Sequence, residues 1–144
     1  MTDDERMRIE WACGRLILRY AALVDAGRWD EVAALYTVDG SMTRPSAPDA
    51  PIVGREAILA SFRERPARYG CHVCTNVVVD ADGPDAARAE SRILLFTAAA
   101  EPMEEGQLPR LAGPALVGEY RDRLVRAADG WRFAERRGSL SFRP

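Results

Sequence analysis

The second half of the chain places the tightest limit on what it can fold into. From position 71 onward it offers four long runs rich in β-branched and aromatic residues, CHVCTNVVVDA, ARAESRILLFTA, ALVGEYRDRLVRA and WRFAERRGSLSF. Asp82-Gly83-Pro84 separates the first two and Ala128-Asp129-Gly130 the last two, so the runs read as strands paired in antiparallel hairpins. At about a dozen residues each they are long for a small domain. Between the hairpins, EPMEEGQLPRLAGP is a loop expected to overhang whatever the sheet encloses. Gly118, in mid-strand, is expected to mark a bend that helps the sheet curl.

The first half carries helical periodicity instead. From Asp4 to about Ala26, apolar residues recur at Ile9, Cys13, Leu16, Ile17, Tyr20, Leu23 and Val24, and Gly27 caps the end. A short second helix is predicted with Trp29, Val32, Ala33 and Tyr36 on one face, broken by Asp39-Gly40. SMTR is the predicted first strand, and PSAPDAP, with its three prolines, is predicted to be a rim loop. REAILASFRER forms a third helix that buries Ile58, Leu59 and Phe62 and stops at Pro66. Helices followed by antiparallel strands predict an α+β fold. Three N-terminal helices would pack on a strongly curved, mostly antiparallel sheet, closing a cone with a central pocket in one domain over residues 1–144.

Composition narrows the function classes. The chain is 47% hydrophobic and 29% charged with a net charge of -2, which gives no pull towards nucleic acid or anionic lipid. It opens on the polar MTDDERMRIE, and no apolar run approaches the roughly 18 residues of a membrane span, so a cytoplasmic location off the membrane is expected. Three cysteines, an odd number, predict free thiols.

The sequence GCHVCTN sets a metal or redox reading against a plainer one. A zinc site wants four ligands in spaced pairs, whereas this chain holds three cysteines and one histidine. A redox Cys-x-x-Cys sits at a helix N-terminus, whereas this one lies in a strand, where alternation sends Cys71 and Cys74 to opposite faces. No metal is expected. The same alternation places His72, Cys74 and Asn76 on one face, polar enough to look into a cavity. His72 is then a candidate general base, which needs a carboxylate to fix its tautomer. Asp25 is one candidate, although about 140° of helical wheel separates it from Tyr20, beyond the apolar stripe. Its place in the last turn also opposes the helix dipole. Glu90, Asp122 and Glu135 are alternative acids, each expected as an exposed charge. Tyr20, Trp11, Trp29, Phe96 and Tyr120 are available as aromatic walls or core, and Trp131 is expected to pack at the sheet end. Arg121, Arg123, Arg126 and Arg132 read as solvated faces of paired strands.

The stretches RYAALVDAGRWDEVAALYTVDG, VGREAILASF, HVCTN and GEYRDRLVRAADGWRFAER together resemble the SnoaL-like branch of the nuclear transport factor two-like superfamily. Within it they are similar to the hexachlorocyclohexane dehydrochlorinase type and, more loosely, to the scytalone dehydratase type. The resemblance covers nearly the whole chain. It implies a cofactor-independent lyase or isomerase in which Asp25 orients His72 as the base acting on a small hydrophobic or polycyclic substrate. It also implies Arg136, or Arg137 if the last strand carries a bulge, as a pocket cation, and a homo-oligomer, dimer or trimer. Tyr20 stands where the dehydrochlorinase pattern has a lysine, and the second histidine of the dehydratase pattern is missing. With Tyr20, Cys74, Asn76, Phe96 and Tyr120 as expected substrate contacts, an Asp-His lyase or isomerase is the first functional expectation. The second is a non-catalytic module for ligand binding or subunit association on the same fold.

Overall fold

The computed structural model describes residues 1–144. Helix α1 (Asp3–Asp25) opens on a capping box, in which the Glu5 N–H donates to the Thr2 hydroxyl and the Thr2 N–H donates to the Glu5 carboxylate. Asp3, Asp4 and Glu5 in its first turn complement the helix dipole. Its buried stripe holds the predicted Ile9, Cys13, Ile17, Tyr20, Leu23 and Val24 together with Ala21, Leu16 is half-buried, and Gly27 turns the chain at a φ of 67°. Helix α2 (Trp29–Ala34) is shorter than expected, because Tyr36 already belongs to strand β1 (Tyr36–Arg44). Asp39-Gly40 therefore ends no helix. It falls inside β1 where the register shifts between Tyr36 and Ser41.

The proline-rich stretch is likewise ordered differently from the expected loop. Ala47–Val53 is strand β2, at the edge of the sheet and paired only with β1. Pro48 and Pro51 are tolerated there because an edge strand needs donors on one side only. Helix α3 (Arg55–Arg63) buries Ile58 and Phe62 as predicted, while Leu59, also expected inside, is half-buried. Four long strands follow, β3 (Arg68–Ala81), β4 (Ala86–Ala99), β5 (Leu116–Ala127) and β6 (Gly130–Leu140). The sheet order is β2-β1-β6-β5-β4-β3, antiparallel throughout except for the parallel β1–β6 pair. The fold is thus α+β, helices packed on a curved, open six-stranded sheet. No helix is long and apolar enough to cross a membrane.

Two bulges decide which side chains face inward. In β3 the register shifts between Thr75 and Val78, with Asn76 at a φ of 51°. Gly70, His72 and Cys74 face the helices before this bulge, and Val77, Val79 and Ala81 after it. In β6, Phe133 pairs with Leu124 and Glu135 with Arg123, so the residue between them, Ala134, is the extra one. Trp131 and Phe133 point inward before it, Arg136 and Gly138 after it.

The core centres on Tyr20, whose ring makes edge contacts with Tyr36, Phe62, Tyr120 and Phe133 at centroid distances of 5.7–6.5 Å. Trp29 stacks on Phe62, whereas Trp11 lies exposed on the outer side of α1. Trp131 is buried at the end of the sheet. Gly118 permits close approach rather than a bend alone, since a Cβ there would lie 2.5 Å from the Ser139 carbonyl on β6. The loop after β4 is exposed and pinned by the Ala112 N–H donating to the Thr97 carbonyl. None of its residues lines the enclosed cavity described next, and Leu116, the first residue of β5, takes that place.

Candidate active site

The end of α1 and the start of β3 meet, and their meeting joins residues 47 positions apart. The Asp25 carboxylate is held twice by one residue. Its Oδ2 accepts the His72 backbone N–H at 2.8 Å, and its Oδ1 lies 2.5 Å from His72 Nδ1. The wheel argument fails here because Asp25 is the last residue of its helix, so its side chain reaches across to the strand instead of lying along the helix surface. Gly70 adjoins it on β3, where a Cβ would make only ordinary contact with Oδ1, at 3.8 Å. The side chains of His72 and Asp25 are 12% and 25% exposed, a half-sheltered setting that keeps the bond largely out of water.

An acid on Nδ1 fixes the tautomer with its proton there and leaves Nε2 unprotonated. Nε2 has no protein partner, and His72 lines a cavity of about 430 Å³. Burial holds the imidazole pKa below its usual 6.5, Asp25 pulls it up, and the nearby charges of Arg68 and Arg65 push it down again. The ring is therefore neutral near pH 7, the state a base requires.

The cavity runs between α1, α3 and the inner face of the sheet. Tyr20, Val24 and Phe62 form its helical wall, and Ile93, Leu95 and Tyr120 its sheet wall. Of the expected substrate contacts, Tyr20 and Tyr120 line it. Cys74 faces inward beside Ser91, on the core side of His72, and burial raises its thiol pKa. Asn76 corrects the expectation: the bulge turns it to the exposed outer side, where the Thr75 hydroxyl donates to its amide oxygen. Phe96 pairs with Cys71 while Leu95 pairs with His72, so Phe96 lies on the face opposite the cavity. Cys71 is exposed and Cys13 buried, the latter with its thiol pushed up to about 12. All three cysteines are free, and no His, Cys, Asp and Glu side chains gather in a group of three or more that could hold a metal ion.

Arg136 enters the interior and Arg137 does not. Arg137 is exposed and pairs with Glu135, whereas Arg136 is 1% exposed. Its guanidinium lies 3.8–4.7 Å from the ring centroids of Tyr120, Tyr20 and Phe133, with Asp122 Oδ1 at 3.3 Å from Nε. It thus sits behind the aromatic wall, beneath the cavity rather than in it. Asp122, expected as an exposed acid, is the buried partner. The pattern Tyr120-Arg121-Asp122-Arg123-Leu124 carried the signal, because alternation puts Asp122 on the same face as Tyr120 and Leu124. Glu90 is exposed and Glu135 pairs with Arg123, so neither reaches His72. Sequence reasoning also missed Arg44, Arg65 and Arg68, three cavity residues drawn from three separate stretches of chain.

The profile of the SnoaL-like domain matches residues 5–137, spanning both halves of the dyad. The chain belongs to the SnoaL-like domain family. No curated protein matches it in sequence. Solved structures share the fold of this SnoaL-like domain. A proposed scytalone dehydratase from Novosphingobium aromaticivorans is 22% identical with a TM-score of 0.75, over 91% of this chain and 83% of that one. A proposed dehydratase of the NTF2-like family from Streptomyces avermitilis is 17% identical with a TM-score of 0.78, over 92% and 96%. A protein from Catenulispora acidiphila in complex with S-DNPA is 28% identical with a TM-score of 0.67, over 90% of each chain.

Proposed function

We propose that this SnoaL-like domain is a cofactor-independent lyase or isomerase, of the dehydratase kind, in which His72 Nε2 removes a proton from carbon. The observation that carries this reading is the 2.5 Å contact between Asp25 and His72 Nδ1 on a ring whose other nitrogen is left to an apolar cavity. On proton transfer the imidazole becomes a cation beside the Asp25 carboxylate, which stabilises it. The electron pair left on carbon either expels a leaving group from the neighbouring carbon or is reprotonated elsewhere. Tyr20 and Tyr120 are the phenol-bearing side chains of the wall, and burial raises the pKa of Tyr120, so it stays a neutral donor. Arg136 acts through these rings as a fixed charge behind them and touches no ligand. A cavity of about 430 Å³ suits a small hydrophobic or polycyclic substrate.

Because His72 is the only histidine, nitrogen NMR of the labelled protein reads its ring without assignment ambiguity. A proton on Nδ1 at pH 7 and loss of that signature in Asp25→Asn are expected. An Nε2-protonated ring, or a wild-type spectrum in Asp25→Asn, removes the dyad. Mass spectrometry of a metabolite extract incubated with wild type and with His72→Ala then separates the two classes. A ligand consumed by wild type alone supports the enzyme, whereas a ligand bound unchanged by both returns the binding module.

A further inference from the structure

The mouth of the cavity carries a collar of positive charge without a carboxylate. Arg44 comes from the end of β1, Arg65 from the turn after α3 and Arg68 from the start of β3, and no Asp or Glu lines the cavity with them. Arg88, Arg92, Arg121, Arg123 and Arg137 on the outer strand faces each pair with an Asp or Glu, whereas these three pair with none. On a chain of net charge -2, three arginines without an acidic partner converge at this opening.

Two of the three side chains are held in place. Arg44 Nη2 donates to the Ser61 carbonyl at 2.7 Å, and its Nε is buried without a partner. Arg65 stacks its guanidinium 4.2 Å from the Phe62 ring centroid, on the helical wall itself. Burial and the neighbouring charges of Arg44 and Arg68 lower the pKa of Arg65, the mark of like charges crowded together. Arg44 and Arg65 are half-buried and Arg68 is exposed, and like charges held together with two of them partly out of water are costly unless something neutralises them.

We infer that the ligand of this cavity is an anion, an apolar body in the His72 chamber with a carboxylate or another oxyanion held by Arg44, Arg65 and Arg68. This rests on the cavity being the ligand site proposed above, and it names the class of ligand. Guanidinium forks suit a planar oxyanion, and the collar would steer it to the opening. Arg65 and Arg68 lie close enough to His72 to influence it, so they also favour the anion left on carbon by proton removal.

The test is calorimetric titration with 2-naphthoate, its neutral primary amide and 2-naphthyl phosphate. Wild type is expected to bind one or both anions and to bind the amide at least about tenfold more weakly. Arg65→Gln and Arg68→Gln should each weaken anion binding about tenfold, Arg65→Lys should restore part of it, and raised salt should weaken it. Arg63→Gln, at the exposed end of α3 and paired with Asp30, should change nothing. Preference for naphthoate over the phosphate assigns a carboxylate, and the reverse a phosphate. Equal affinity for amide and anions, no binding of any probe at millimolar concentration, or unchanged binding in both glutamine variants overturns the inference. His72→Ala separates it from the catalytic reading: naphthoate binding retained there supports the collar even if the dyad fails its own test.

Discussion

Two acid–base pairs sit at different depths of the same cone. Asp25 and His72 meet at 2.5 Å near the mouth with part of each side chain open, whereas Asp122 and Arg136 meet at 3.3 Å under the aromatic wall with neither exposed. In the upper pair the acid's partner is an imidazole, which can take up and release a proton. In the lower it is a guanidinium, which cannot. The upper pair can move a proton and the lower can only hold a charge. Burial shows the same division: it lowers the pKa of His72 while raising that of Asp122 to about 6, against the pull of Arg136. Depth and donor chemistry, rather than the presence of a carboxylate, separate a pair able to exchange a proton from one that balances a fixed charge.

The largest effect that tests this contrast belongs to the upper pair. His72→Ala is expected to lower turnover of an identified substrate by about 10²- to 10⁴-fold while the melting temperature barely moves. Comparable turnover in the variant would erase the contrast. The lower pair should answer in stability instead. Asp122→Asn strands the Arg136 charge in the interior and is expected to cost about 3–5 kcal/mol in denaturant unfolding. Replacing both, Asp122→Leu with Arg136→Met, should recover most of that loss, because no unpaired charge remains. A double variant as unstable as the single one would give the pair a role beyond charge balance.

Smaller, and of opposite sign for the two pairs, is the pH dependence. Folded His72, held below 6.5 by burial against Asp25 with Arg65 and Arg68 nearby, binds a proton less readily than the unfolded chain. Its contribution to stability is therefore lost as pH falls below 6.5 towards the folded pKa. Asp122, raised from 3.8 to about 6 beside Arg136, binds its proton more readily when folded, so its contribution is lost as pH rises through that window. Unfolding of wild type and His72→Gln across pH 4 to 7 should differ by the first slope alone. Tyr20→Phe should have the least effect, about 0.5–1.5 kcal/mol in unfolding, since it removes one weak 3.4 Å bond donated by the Tyr36 hydroxyl and keeps the ring.

Much of this was legible in the chain itself, and the failures have physical causes. α1, α3 and the long strands were readable because each follows one period over many residues, and the turn at 128–130 because Asp-Gly is specific. β2 was hidden by prolines that only an edge position excuses, and Tyr36 by a helix that stops after six residues. Asn76 was placed on the wrong face because a single extra residue reverses alternation, which no count of spacing reveals. His72 and Asp25 were found from residue chemistry and family resemblance, since nothing local in the helix distinguishes Asp25 from a surface acid. Arg44, Arg65 and Arg68 were overlooked because they converge only in three dimensions.

The bulge at Asn76 has a further consequence, for the evolvability of the fold. It divides β3 into a mouth half that carries His72 and a lower half whose Val77, Val79 and Ala81 belong with the core. The surplus residue absorbs the change of phase between them, so the two halves need not share one alternation. A substitution around the mouth then need not re-register the lower hairpin, so the rim and the foundation of one strand are free to change independently.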